Sequence, residues 1–402
     1  MFIKYRISEL KIIFLIFSIP FLMGLGVDLY VPSLPAITEY FSTTSGQVQQ
    51  TISLYMLGYG IGQFLLGIVS DASGRKIVLR SCSIIFTLSS FACFEFAYSI
   101  HVLQFLRLMQ GLSVAGLAVV ARAMIVDVFD GKNLYKYTNY FGLSWSLGPI
   151  LGPIIGGYLA TYFGWKSNFI FFTIYGLTVT LISLTSFKET NKSIIPYNQA
   201  FNIKSISRVI LNPIFMGYTL IGGIGYAAIV YFNVIGPFLL QSKFGLTTVQ
   251  YGYVALLLGA GYFLGSLLNK STVNKNGSVN NLHFGLLICL ASSLLMLSLN
   301  LLDNVIIYII ITLIFIIFLG VGFIVPNTLV NSMKVFPAKA GTASSLFGTF
   351  TGVIVSIISW YASHSNSMSI FNTAMNYILL ITVCILVMWF IQFTLKRDRV
   401  HE

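Results

Sequence analysis

Apolar residues run along this chain in long stretches separated by short polar breaks. Twelve stretches approach or exceed the roughly 20 residues that a helix needs to cross a hydrocarbon core. They cover residues 11–34, 47–70, 78–99, 102–127, 136–162, 166–187, 210–240, 248–270, 281–301, 304–333, 340–362 and 373–395. The pattern predicts an all-α membrane protein of twelve transmembrane helices. The longest polar break runs from Lys188 to Arg208 and carries Pro196 and several Asn. It divides the chain into an N-terminal six-helix bundle (1–187), a linker (188–208) and a C-terminal six-helix bundle (209–402).

The halves share a faint repeat. Laid 203 positions apart, Phe41, Thr44, Gln47, Gly58, Tyr59, Gly62 and Gly74 meet Phe244, Thr247, Gln250, Gly261, Tyr262, Gly265 and Gly277. Two parallel six-helix repeats with a midplane site between them form a transporter architecture.

Composition agrees with this reading. Of 402 residues, 56% are hydrophobic and 8% charged, against about 25% charged in a soluble domain. So few charges cannot build a surface that faces water. The net charge of +12 lies in short clusters between the apolar runs, which argues for a membrane and against nucleic acid. With the N-terminus placed in the cytoplasm, only Lys166, Lys243, Arg107 and Arg122 of the 23 Lys and Arg fall outside the cytoplasmic segments. The linker and both termini are therefore expected on the inside. Lys4, Arg6 and Lys11 precede an apolar run that lacks a small-x-small cleavage site, so it reads as an uncleaved first span.

Other classes lack their chemistry. Cys82, Cys93, Cys289 and Cys384 sit singly in apolar runs and read as small hydrophobes. His101, His283, His364 and His401 fall near loops or termini, with no metal-ligand spacing. No P-loop is present, so ATP is not expected to drive the protein directly. No Ser/His, metal or paired-Asp constellation supports an enzyme. No cofactor is expected.

Ionisable residues inside a span are functional candidates by default. Asp28 closes the first span at the spacing DxYxPxLPxI, with Tyr30, Pro32 and Pro35. Burial favours the neutral form of a carboxyl and a nearby cation favours the charged form. Arg107, in the RxxQG sequence with Gln110, enters the fourth span from the same side and lies at comparable depth. A solute that displaces one partner would change the proton affinity of the other.

Further motifs follow. Gly67, Asp71, Gly74, Arg75 and Lys76 form GxxxDxxGRKxxL between spans two and three. Arg122 and Asp127 end the fourth span. Gly148, Pro149, Gly152, Pro153, Gly156 and Gly157 form GPxxGPxxGG in span five; close packing and proline kinks would make that helix pliable at the interface of the halves. The second half carries GxxxPN at Gly322–Asn327 and GTASS at Gly341–Ser345, and no clear intramembrane acid or base.

Together these motifs resemble the major facilitator superfamily and, within it, the Bcr/CflA group of proton-linked drug exporters. The resemblance implies a gate latch at Asp71–Lys76 that stabilises the outward-open state, a proton-carrying Asp28, and exchange transport from the glycine–proline motif. Ala72, Val126 and Asn139 stand where the pattern usually has a basic residue, a second Arg and a Gly. Candidate cavity residues are Tyr30, Tyr55, Tyr59, Gln110 and Trp145 in the first half. In the second they are Tyr226, Tyr231, Asn233, Tyr262, Asn327 and Asn331. Apolar walls with a few polar groups suit amphiphilic ligands; ordinary packing remains open for each. Arg122 is read as snorkelling to the interface or touching the gate, with direct substrate or proton work as the alternative.

The expected function is a proton-coupled antiporter that exports small amphiphilic or drug-like molecules across a bacterial inner membrane. A dedicated exporter of one metabolite, such as a siderophore or sugar, is the alternative on the same scaffold, and a membrane receptor or sensor is the alternative of another class. The expected partners are a small-molecule substrate, protons and the lipid bilayer.

Overall fold

The computed structural model describes residues 2–191, 194–197, 201, 203–301, 306–337, 340–366 and 368–400. Lys192, Lys339 and His401, counted above, lie outside them. Among the described residues twelve helices are long and apolar enough to cross a membrane, so the protein is multi-pass. The first half contains α1 (Phe2–Asp28), the short α2 (Leu34–Tyr40), α3 (Ser45–Ser73), α4 (Arg75–Glu95), α5 (Ile100–Val128), α6 (Gly131–Phe163) and α7 (Ser167–Ser186). A short helix, α8 (Ile203–Ile210), leads into α9 (Pro213–Pro237), α10 (Thr248–Asn276), α11 (Ser278–Ser298), α12 (Ile307–Val335), α13 (Ala340–Ser363) and α14 (Ile370–Val400).

Contacts group the chain into two compact units: Met1–Asn202 with Thr248–Gly252, and Ile203–Thr247 with Tyr253–Glu402. In the first, α3 packs on α5, α1 on α6, and α4 on α5 and α7. In the second, α9 packs on α12, α13 and α14, and α11 packs on α12 and α14.

Local chemistry fixes several helix starts. The side chains of Thr44, Ser99 and Asn212 accept the backbone N–H of Gln47, Val102 and Phe215, supplying partners for donors that a first helical turn leaves open.

Lipid offers helices no hydrophobic reason to associate, so close packing must supply the attraction. The repeated glycines do this. A Cβ on Gly58 would lie 2.3 Å from the Leu108 carbonyl oxygen, and one on Gly62 would lie 2.8 Å from that of Leu112. Their counterparts Gly261 and Gly265 meet the carbonyl oxygens of Phe315 and Leu319 at 3.0 and 2.0 Å. Each pair thus seats the second span of its half on the fourth.

The turn after those spans also repeats. Gly74 has φ 93° and ψ 158°; Gly277 has φ 79° and ψ 155°. The chemistry around the two turns differs. In the second unit a neutral amide network ties α10, α11 and α12: Asn269 Oδ1 accepts from Asn281 Nδ2 at 2.8 Å and from Asn327 Nδ2 at 2.7 Å. Ser278 Oγ donates to Asn331 Oδ1 at 2.8 Å. In the first unit the corresponding turn is ionic.

Candidate functional site

The last turn of α1 is the centre of the first unit's buried polar chemistry. The helix ends at Asp28, and a 3-10 turn over Val31–Ser33 follows. Pro32 and Pro35 lack the N–H that a continuous helix would need there. Asp28 is 8% exposed. Its backbone rests on the glycine–proline motif of α6. A Cβ on Gly152 would lie 3.2 Å from Asp28 Cβ, and one on Gly156 would lie 1.7 Å from the Leu29 carbonyl oxygen. Upstream, Gly148 meets Gly24 at 2.4 Å in the same sense. Pro153 and Gly157 are buried too. The α6 glycines therefore form a bed for the end of α1 that carries the acid.

Arg107 is fully enclosed, at 0% exposure. Its Nη1 donates to Gln110 Oε1 at 2.9 Å and its Nη2 to the Gly26 carbonyl at 2.8 Å. Gly26 is two residues before Asp28. The guanidinium lies over the rings of Tyr30 and Tyr55, 4.8 and 4.3 Å from their centroids. Such contacts are worth about 2 kcal/mol or more when desolvated, which offsets part of the large penalty for burying a cation. Gln110 Nε2 in turn donates to Ser90 Oγ at 2.8 Å, and Tyr30 shares a hydrogen bond with Thr51 at 3.0 Å. Tyr30, Tyr55 and Gln110 thus surround Arg107. Gly26 had no sequence signal of its own: a side chain there would collide with the Tyr55 hydroxyl.

At the other end of the first unit, Arg75 gathers the loop motif. It bonds Asp71 and Ser70 through Nη1 and Asp127 Oδ2 through Nε at 3.1 Å. Three helices, α3, α4 and α5, meet at this one guanidinium. The sequence reading missed Glu189. Its carboxylate accepts the backbone N–H of Arg75 and of Lys76, both at 3.0 Å, so it caps the start of α4, where the helix dipole favours negative charge. Gly74 is required beneath it: φ is positive, and a Cβ would lie 2.5 Å from Glu189 Oε2. Arg80 returns the favour to α7. It donates to the Ser183 and Leu184 carbonyls at 3.1 and 2.8 Å, at the end where that dipole favours a cation. The available signal was a lone acid in an otherwise basic linker.

Burial pushes the Glu189 pKa up, but the N–H groups of Asn191, Lys76, Arg75 and Thr190 pull it down further, and the net displacement is below the ordinary 4.5. A depressed carboxylate pKa contributes stability above the unfolded value that is lost as pH falls through the folded value. Glu189→Gln is therefore expected to lower the Tm of purified protein at neutral pH. The gap to wild type should close below about pH 4.5. A gap that stays constant across that range would show that the charge does not stabilise the turn.

Between these clusters, Arg122 donates through Nη2 to Gln63 Oε1, and Gln63 hydrogen-bonds Tyr59. Gln63 was also missed. It lies four residues after Tyr59, one turn along α3, as a polar position in an apolar run. The other candidates fall into two groups. Tyr59 and Trp145 in the first unit, and Tyr226 and Tyr262 in the second, keep part of their surface open. Tyr231 accepts from Asn376 at 2.8 Å, Asn233 is buried, and Asn327 and Asn331 belong to the amide network.

Comparison with known proteins places these features in context. A profile described as Major Facilitator Superfamily matches residues 16–360. The chain is 26% identical over 364 residues to "Uncharacterized MFS-type transporter YdgK" of Bacillus subtilis, covering 88% of each chain. It is 26% identical over 333 residues to "Bicyclomycin resistance protein homolog" of Haemophilus influenzae, covering 81% of each. Among solved structures, a D-xylose-proton symporter matches with a TM-score of 0.74 at 15% identity, covering 96% of this chain and 97% of that one. This last likeness speaks to the fold.

Proposed function

Because the chain belongs to the Major Facilitator Superfamily, we propose that it is a proton-coupled antiporter that exports small amphiphilic or drug-like molecules across a bacterial inner membrane by alternating access. One observation carries the reading: Asp28 is buried at the end of α1, directly on the α6 glycines of the motif associated with exchange. An acid held there takes up and releases a proton as its surroundings change. Arg107 is enclosed and acts through α1. It grips the Gly26 carbonyl, so any rearrangement of the last turn of α1 changes the distance between a fixed positive charge and Asp28. Tyr59 and Trp145 in the first unit, and separately Tyr226 and Tyr262 in the second, are partly open aromatics whose apolar faces and polar tips suit amphiphilic solutes.

The relative named for bicyclomycin resistance supports drug-like cargo over a sugar or siderophore. Asp71, Arg75, Asp127 and Glu189 form the latch of this scheme, on the side expected to be cytoplasmic.

The test is transport by the purified protein in proteoliposomes, with a panel of amphiphilic drugs and an imposed pH gradient. Movement of at least one solute is expected to run opposite to the proton gradient and to stop when an ionophore collapses it. Transport of every accepted solute at a rate indifferent to the gradient would overturn proton exchange.

A further inference from the structure

The short helix α8, Ile203–Ile210, takes no part in the chemistry above, yet its surface is unusual for a connector. At about 100° per residue, Ile206, Val209, Ile210 and Ile203 occupy one arc, and Lys204, Ser207 and Arg208 the opposite one. Among the four aliphatics of this arc only Val209, at one edge, is fully covered, and α8 meets α9 and α13. Ile203, at the other edge, is 65% exposed, and Leu211, just beyond the helix, is 79% exposed. Lys204 and Arg208 are both exposed. The second unit therefore holds one edge of the helix and leaves its remaining apolar edge and both cations uncovered.

The tether decides what lies against that face. Only Leu211 and Asn212 separate Ile210 from Pro213, where the spanning helix α9 begins. At about 3.5 Å per residue, α8 cannot stray more than about 10 Å from the membrane end of α9. Asn212 anchors the junction by accepting the Phe215 N–H at 2.9 Å. An amphipathic helix at that depth, with large aliphatics on one side and Lys and Arg on the other, has the make-up of an element lying in a bilayer interface. A second copy of the chain would bring the same basic face and meet it with like charge. Lipid phosphates are anionic and abundant at that level.

We propose that α8 is an in-plane anchor for anionic phospholipid: Ile203 and Leu211 enter the boundary between headgroups and acyl chains, and Lys204 and Arg208 engage headgroup phosphates. Because α8 runs directly into α9, the hold is delivered to the first turn of that span, and the lipid composition of one leaflet becomes an input to the second unit.

The four native cysteines are buried, so Ile203→Cys in the full chain can be labelled selectively with an environment-sensitive fluorophore. The labelled protein is placed in vesicles of equal parts phosphatidylcholine and phosphatidylglycerol, with one or the other lipid brominated as quencher. Stronger quenching by brominated phosphatidylglycerol is expected. The preference should weaken by at least about fivefold for each basic residue reversed, in Lys204→Glu and Arg208→Glu. High salt should also weaken it in the unreversed protein. Equal quenching by the two lipids would overturn the proposal. So would quenching by aqueous iodide and by neither lipid, which would place the face in water or under another protein. A preference unchanged by both charge reversal and salt would remove the headgroup contact. None of these readouts depends on transport.

Discussion

Asp28→Asn is expected to yield a folded, inserted protein that no longer exports against a gradient. Asn keeps the size and shape of the side chain, so the seat on Gly152 and Gly156 survives. It cannot carry a proton. One coupled proton sustains about a tenfold solute ratio per unit of pH gradient, and in the variant that ratio should collapse to one. Binding should persist, because the partly open aromatics are untouched, and counterflow exchange of labelled for unlabelled solute should continue. The discriminating measurement is the pair of assays on one preparation: pH-driven accumulation and gradient-free counterflow. Loss of both would mean a damaged fold or site. Retention of pH-driven accumulation would remove Asp28 as carrier and the proposed coupling with it.

The second large effect is mechanical. Gly156→Leu is expected to prevent the first unit from assembling. Even a single Cβ at this position would sit 1.7 Å from the Leu29 carbonyl oxygen, and backbone cannot yield as a flexible side-chain tip can. Overpacking a core usually costs about 1–3 kcal/mol; a collision with main chain at the α1–α6 contact lies at or above the top of that range. The variant should fail to give a monodisperse peak in mild detergent, or should melt far below wild type. Gly142 on the same helix supplies the control, since nothing lies within 4 Å of a Cβ built there. Gly142→Ala is expected to be neutral, or stabilising by up to about 1 kcal/mol through helix propensity. Equal behaviour of the two variants would mean that the close approach of α1 to α6 is not what holds the acid in place.

These expectations separate what was legible in one dimension from what was not. The spans were legible because crossing a bilayer demands a long apolar run, and the demand is local. The glycines repeated at 203 positions were legible for a similar reason: a small residue marks a close approach, though not what approaches. Gly58 and Gly62 turned out to meet α5, and Gly148 and Gly156 to meet α1. The polar partners were harder. Arg107 and Asp28 were both identifiable as intramembrane charges, but not the carbonyl and the two tyrosine rings that enclose the arginine. Asn327 and Asn331 read as possible lining residues, and their amides are used between α10, α11 and α12. Glu189 was passed over because its neighbours Thr190 and Asn191 supply only part of what it bonds; the donors that give it a role, the N–H groups of Arg75 and Lys76, are more than a hundred residues away.

By itself the amino-acid order determined the membrane class, the twelve apolar helices, the superfamily and the identity of the buried charges, because hydropathy and short motifs are written along the backbone. Only the tertiary structure decided which group each charge faces, which glycines touch, and which edge of α8 stays uncovered. Those outcomes depend on contacts through space between helices far apart in the chain, and helical periodicity fixes which side of a helix a residue is on without fixing what is brought against it.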